Sequence, residues 1–311
     1  VIRILKAGPG TTIQAGRRLG LRHRGVPWSG PADAVSMALA NRLVGNAADA
    51  PALEITLGGA AFEFEAAGDI ALAGAQARFT LTDETVSAHR RIRVAPGDRL
   101  AIGVHEAGAR LYLAATGGFR ADAVLGSAST YLPAGFGGLD GRALRDGDRL
   151  EQGAPGGPPG PAETPMPLRL SSTHAYALRA LPGPEGDRPG ADAIWSSEFV
   201  VGRAADRMGV RLEGPAIATA GAGAMASAPV FPGTVQLPEG GAPILLGPDA
   251  QTTGGYPRIA SVIRADRHLI GQIRPGDRVR FLQRSAAEAE AILRAKAALL
   301  AEWVPDIARV F

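Results

Sequence analysis

The chain has 311 residues, 46% apolar and 20% charged, and its 33 Lys and Arg against 30 Asp and Glu leave a formal net charge of +3. Aromatics at 5% with no basic stripe between them speak against a nucleic-acid partner, and the absence of cysteine excludes disulfides, thiolate metal sites and a cysteine nucleophile. No apolar run approaches the roughly 20 residues of a membrane span and "VIRILKAGPG" has no apolar leader segment, so the expectation is a soluble cytoplasmic protein without a membrane partner.

In chain order, "VIRILKAG" alternates as a first strand. Pattern and capping predict a helix over 33–45. Val35, Ala38, Leu39, Leu43 and Val44 fall on one face at spacings of three and four. Asp33 suits the first turn, where a carboxylate meets free N–H groups, and Gly45-Asn46 suits a left-handed stop. From Leu53 the signal is β: "ALEITL", "AFEFEA", "DIALAGA", "ARFTLT", "RIRVA", "DRLAIGV" and "ARLYLAAT" are short and separated by Gly, Pro or Asp. The 42 Gly and 24 Pro, about a fifth of the chain, are spread between such runs, which predicts many tight turns in a barrel or sandwich.

Residues 152–167, "QGAPGGPPGPAETPMP", read as an exposed linker. The β pattern resumes at "LRLSS" and runs to "DRVRFLQR". A closing helix over 285–303 opens on a Ser285–Glu288 capping box. It carries Ile292, Leu299, Leu300 and Trp303 as an apolar stripe that packs on its own barrel. The expected organisation is a β half over 1–151, the linker, a second β half over 168–284, and a helix and tail over 285–311. Three patterns recur in one order: "GVPWSGP" (25–31) and "GVRLEGP" (209–215), "TGGF" (116–119) and "TGGY" (253–256), "DGDRL" (146–150) and "PGDRV" (275–279). Their order predicts two related β halves with equivalent turns.

No nucleophile elbow, phosphate loop or zinc-protease motif is present. His23, His89, His105, His174 and His268 share no metal spacing, so no metal is expected, and His23 reads as an exposed loop residue. Three polar clusters stand out: "TTIQAGRRLG" (11–20), the turn with Ser29 and Asp33, and "DAQTTGGYPRIAS" (249–261). In the last, hydroxyls and amides beside Gly-Gly fit either close approach of a ligand or a β-hairpin turning at the glycines.

These clusters carry a resemblance. "TTIQ" (11–14), "GVPWSGPAD" (25–33), "ANRLVGN" (40–46), "LEITL" (53–57), "DRMGVRLEGP" (206–215), "PGTVQLP" (232–238), "DAQTTGGYP" (249–257) and "RPGDRVRF" (274–281) resemble the allophanate hydrolase subunit 2 or biotin-dependent carboxyltransferase family. That family includes the C subunit of prokaryotic ATP-dependent 5-oxoprolinases and half of the carboxyltransferase region of urea carboxylase. The resemblance covers nearly the whole chain. It implies a mainly β, cyclophilin-like barrel architecture and a partner, the family's subunit 1 or B subunit, that completes the active cleft. One departure is local: the family usually has Asp after "TTIQ" and then Gly, where this chain has Ala15 and Arg17, while Arg18 and Gly20 keep their places.

The leading reading is thus a subunit of an ATP-dependent 5-oxoprolinase-type complex, with a third catalytic subunit, that opens the lactam of 5-oxoproline to glutamate. ATP serves the complex, with its binding subunit unassigned. On this resemblance Asp33 carries or orients a proton and Arg18 meets an anionic group. Gln14, Ser29, Gln251, Thr252, Thr253 and Tyr256 bind the substrate, and the clusters are expected to line one concave surface. Two alternatives stay open. One is the carboxyltransferase half of a biotin-dependent urea or amide carboxylase, with biotin on another chain. The other is a non-catalytic regulatory subunit that binds its partner.

Overall fold

The structure, a computed structural model, describes residues 1–169, 173–218 and 225–310. The chain is mainly β, as expected, and forms two compact units. Val1–Arg18, Ser29–Ser172 and Leu300–Phe311 make the first, and Leu19–Trp28 with Thr173–Leu299 make the second.

The first unit is built on two antiparallel sheets. In its six-stranded sheet Ile2–Lys6, Ala61–Phe64 and Arg99–Ile102 alternate, with Ile2, Ile4, Phe62, Phe64, Leu100 and Ile102 buried. The other face is wet, and Glu63 there sits 2.6 Å from Arg3 and 3.0 Å from Arg99. The buried face shares one core with Ile13, Leu53, Ile55, Leu72, Leu111 and Leu113 of the five-stranded sheet. That second sheet is covered on both sides. Ala52, Ala71, Ala73 and Ala114, with Tyr112, pack under the helix Ala34–Leu43, their small side chains leaving room for it.

The predicted helix is present, two residues shorter at its C-terminal end than expected. Asp33 is its N-cap and accepts the Ser36 N–H at 2.9 Å. Gly45, at φ 76°, donates to the Arg42 carbonyl and Asn46 donates to the Asn41 carbonyl, a Schellman stop. The expected apolar stripe is corrected: all but one of its residues are buried, Ser36 and Asn41 included. Asn41 is satisfied inside, its amide donating to the Ala50 carbonyl at 2.9 Å.

In the second unit seven strands close into a barrel: Ala175–Pro182, Arg258–Val262, Thr234–Gln236, Ile244–Leu246, Gly209–Glu213, Glu198–Ala205 and Arg278–Gln283. Every pair is antiparallel except the seam between Ala175–Pro182 and Arg278–Gln283. Its interior holds Leu178, Val201, Leu212, Val235, Ile259 and an edge-on Phe199–Phe281 pair with centroids 6.3 Å apart.

The ordered echoes do not mark equivalent turns. Residues 25–31 are loop, whereas Gly209–Glu213 is a barrel strand. Gly117 and Gly118 are left-handed, at φ 83° and 67°; Gly254 and Gly255 are not. The third pair is the same local device, and it occurs a third time. Asp98, Asp148 and Asp277 each accept the N–H three residues back, at 2.8, 2.8 and 3.0 Å. Each follows a glycine at φ 90–91°, and each such glycine donates to a neighbouring strand: to Phe64, Ile4 and Val201 respectively. It is a glycine turn that starts a strand, so its recurrence reflects local chemistry.

Residues 152–167 are exposed along most of their length. Backbone bonds tie their end to the first unit, from Arg91 N–H to Ala162 and from Thr164 N–H to His89, both 2.9 Å. The strand expected at "LRLSS" begins as a 3-10 turn at Met166–Leu168, and its residues 170–172 lie outside the described residues. The closing helix, Ala286–Ala301, has its capping box: Glu288 accepts the Ser285 N–H at 2.7 Å. Its expected stripe is only partly buried, since Leu300 is covered and Leu299 is exposed. Among the described residues no helix is long and apolar enough to cross a membrane, and no cluster of three metal-ligating side chains occurs.

Candidate functional site

In the first unit, strand pairing sets Thr12 opposite Glu54 and Glu54 opposite Tyr112, all three on the face under the helix. Glu54, 1% exposed, accepts the Tyr112 hydroxyl at 2.7 Å and the Ala32 N–H at 2.8 Å. The Tyr112 oxygen accepts the Asp33 N–H at 2.8 Å, and Asp33 in turn accepts the Ser36 hydroxyl at 2.5 Å. Arg110 stands 3.5 Å from Glu54. Burial first, then the charges of Glu54 and Asp33, hold the Tyr112 hydroxyl well above its ordinary pKa. It therefore stays protonated and donates. The network fixes the backbone of residues 32 and 33 from two sides.

Immediately upstream the chain is strained. Ser29 has φ 50° and Gly30 φ 86°. A Cβ on Gly30 would sit 2.8 Å from Arg17 Cγ and 3.4 Å from the Ala15 carbonyl, so the 14–18 and 29–33 segments are adjacent. Ser29 is 2% exposed and its hydroxyl has no partner among the described residues. Gln14, fully buried, donates to Thr12 Oγ1 and the Thr130 carbonyl, while its Oε1 has no partner among the described residues. Unsatisfied buried polar atoms beside strained backbone are the usual mark of a working site. Arg18 is fully buried: its guanidinium donates to the carbonyls of Val124, Ser127 and Ser129 and lies 4.7 Å over the Phe136 ring. In place of the aspartate usual in the resemblance, Ala15 exchanges two hydrogen bonds with Ser129 Oγ, at 2.9 and 2.8 Å.

The other predicted residues lie in the second unit, together with the segment Leu19–Trp28. Arg22 is the anchor of that segment. Its guanidinium lies 5.3 Å from the Trp28 ring and 5.0 Å from that of Phe231, and it donates to the carbonyls of Val230 and Gln251. Burial lowers its pKa. The opening of "DAQTTGGYP" is fixed by a bidentate pair between Arg207 and Asp249, at 2.7 and 3.0 Å. Thr253-Gly254 pairs with Ala228-Pro229, so the glycines do not turn a hairpin of their own. They serve close approach instead, for a Cβ on Gly254 would lie 2.5 Å from Gln236 Nε2. Gln236 is 1% exposed and accepts from the Gln251 amide at 3.3 Å. Both amides line a cleft of about 460 Å³ with Tyr256, Met208, Arg203 and Arg211. Thr252 and Thr253 are not among its lining; the Thr252 carbonyl is used by the Val230 N–H.

Residues 24–283 match the family described as "Carboxyltransferase domain, subdomain A and B". The chain belongs to the carboxyltransferase domain family. It is 42% identical over 292 residues to the C subunit of 5-oxoprolinase from Escherichia coli strain K12, covering 93% of either chain. It is 36% identical over 307 residues to the protein of that name from Haemophilus influenzae, covering 94% of each. The crystal structure of the K. lactis urea amidolyase matches with a TM-score of 0.91 at 29% identity, over 97% of this chain but 20% of that one.

Three segments that carried the resemblance in sequence, 206–215, 232–238 and 249–257, thus supply most of the lining of one carboxyltransferase-domain cleft. Sequence reasoning passed over Glu54, Tyr112, Arg22 and Gln236. Glu54 and Tyr112 are single polar positions inside strands, with no motif of chemistry around them. Arg22 lies in a Gly- and Arg-rich stretch with no periodicity. Gln236 had one signal, its place in "PGTVQLP".

Proposed function

We propose that the chain is a subunit of an ATP-dependent 5-oxoprolinase-type complex that opens the lactam of 5-oxoproline to glutamate. The observation that carries this is the near end-to-end similarity to the E. coli C subunit, 42% identical over 93% of both chains. In ring opening, a water oxygen adds to the lactam carbonyl carbon, the C–N bond breaks and the nitrogen gains a proton. ATP hydrolysis drives the overall reaction, with the subunit that binds the nucleotide left open. The complex is completed by subunit 1 of the same family, the B subunit, and by a third, catalytic subunit.

Within it, Asp33 orients: both of its carboxylate oxygens are engaged by Ser36, so it holds the Ser29–Asp33 turn in place. In the first unit the Ser29 hydroxyl and Gln14 Oε1, without a partner among the described residues, are left for a polar ligand. Arg18 supports them from beneath by tying residues 124–129 to the 14–18 segment. In the second unit Gln251 and Tyr256 bind the substrate in their own cleft, with Thr252 and Thr253 beside them in sequence.

A second reading is favoured by the TM-score of 0.91 with the urea amidolyase: one half of a carboxyltransferase. Biotin on another chain would then supply a carboxyl group on its ureido ring, and the donor and acceptor amides of Gln236 and Gln251 suit such a ring. Reconstitution with the partner subunits separates the two. The first reading expects glutamate from 5-oxoproline only when ATP is present. Biotin-dependent carboxylation of urea without glutamate formation would replace it with the second. Glutamate formation that proceeds without this chain, at a rate the chain alters, would make it a regulatory subunit.

A further inference from the structure

The cleft in the second unit contains more recognition chemistry than its predicted residues account for. Gln236 is a buried amide held by long bonds, 3.3 Å from Gln251 Nε2 and 3.5 Å to the Tyr256 carbonyl. A buried amide so weakly engaged is costly unless something else completes it. The chain also keeps a glycine at 254 where any side chain would push this amide aside. Beside it, Gln251 offers a second amide whose oxygen is not engaged by any described residue.

The charge around these amides is unbalanced. Arg203 and Arg211 line the cleft and are exposed, and the guanidinium of neither forms a hydrogen bond or ion pair with any described residue. Their neighbours behave otherwise: Arg207 is paired with Asp249, and Arg258 with Glu185. The one carboxylate of the lining, Asp206, accepts the N–H groups of Met208 and Gly209 at 2.7 and 3.1 Å. Met208 and Tyr256 supply apolar surface. The volume, about 460 Å³, falls within the roughly 300–1,000 Å³ of small-molecule sites.

Paired amides, each with a donor and an acceptor, match the edge of a ring amide, which offers one N–H and one C=O side by side. Two free guanidiniums match a carboxylate. We infer that this cleft is a receptor site for a small lactam carboxylate, with Gln236 and Gln251 reading the amide edge and Arg203 and Arg211 holding the carboxylate. The inference rests on the 5-oxoprolinase reading for its ligand class and adds to it the residues that select that ligand.

The test is calorimetric titration of the full chain, without ATP or partners, using three probes. 5-Oxoproline carries both groups, 2-pyrrolidinone only the lactam, and cyclopentanecarboxylate only the carboxylate. Saturable binding of 5-oxoproline is expected, with each half-ligand weaker by roughly tenfold or more. Arg203→Ala/Arg211→Ala should abolish the advantage of 5-oxoproline over 2-pyrrolidinone, and Gln236→Leu its advantage over cyclopentanecarboxylate. The double arginine variant alters exposed side chains only, so its fold is expected to be intact, and thermal unfolding checks both variants. Undetectable binding of 5-oxoproline, or equal binding by wild type and the double arginine variant, would overturn the assignment. Neither result touches glutamate formation by the complex, so a wrong cleft and a wrong reaction are told apart.

Discussion

Thr116–Phe119 and Thr253–Tyr256 share the letters Thr-Gly-Gly and use them oppositely. In the first, both glycines are left-handed, and a Cβ on Gly117 would strike the Gly153 carbonyl oxygen at 2.2 Å. Backbone geometry requires glycine there. In the second, neither glycine is left-handed, and the atom nearest a Cβ on Gly254 is the amide nitrogen of Gln236. Glycine there is required by a neighbouring side chain that lines a cleft. The contrast extends to the units themselves. Polar groups of the first unit turn inward and mostly satisfy one another, as Glu54, Tyr112 and Asp33 do. Those around the cleft of the second are left open, as Arg203 and Arg211 are.

If the inward network is structural, cutting it at its centre has the largest effect. Glu54→Ala leaves Arg110, the Tyr112 hydroxyl and the Ala32 N–H without their shared acceptor. About 3–5 kcal/mol of stability should be lost, as when one member of a buried ion pair is removed, and urea unfolding measures it. A loss below about 1 kcal/mol would break the distinction between the two regions.

The two glycine pairs sharpen it. Gly117→Ala adds left-handed strain to a backbone clash and should cost about 2–4 kcal/mol. Gly254→Ala meets only a side chain and should cost about 1 kcal/mol or less in the same assay. Equal losses would mean that both pairs are fold requirements.

Acid sensitivity belongs to the inward-turned set as well. His89 is 8% exposed, and burial with Arg169 nearby lowers its pKa to about 4. The folded state therefore holds it neutral below the pH at which the unfolded chain protonates it, near 6.5. Its contribution is complete above pH 6.5 and is lost as pH falls towards 4, up to about 3 kcal/mol in all. His89→Asn keeps a residue type that tolerates the observed φ of 62°. The melting temperature of the wild type should fall relative to the variant's as pH drops from 6.5 towards 4, with a constant gap above pH 6.5. Parallel curves over that range would count against this origin of the acid sensitivity.

These particulars show what was legible in the sequence. The Asp33 cap, the Gly45–Asn46 stop and the Ser285–Glu288 box were, because each is settled by residues within a few positions of one another. Alternation revealed the strands but not that one sheet is covered on both sides, so Glu54 and Tyr112 stayed hidden. The docking of Leu19–Trp28 in the second unit depends on Arg22 meeting Trp28 and Phe231, a contact spanning about two hundred positions that no local pattern announces. The ordered echoes misled because turns opening on Gly-Asp arise wherever a strand must start sharply.

The central claim is that the second-unit cleft receives the lactam through the Gln236 amide. KM for 5-oxoproline in the reconstituted complex, wild type against Gly254→Ala, tests it most directly. The expected result is a KM higher by roughly tenfold, from the displaced Gln236 amide, with the unfolding midpoint little changed. An unaltered KM, in a complex that forms glutamate from 5-oxoproline and ATP, would contradict it.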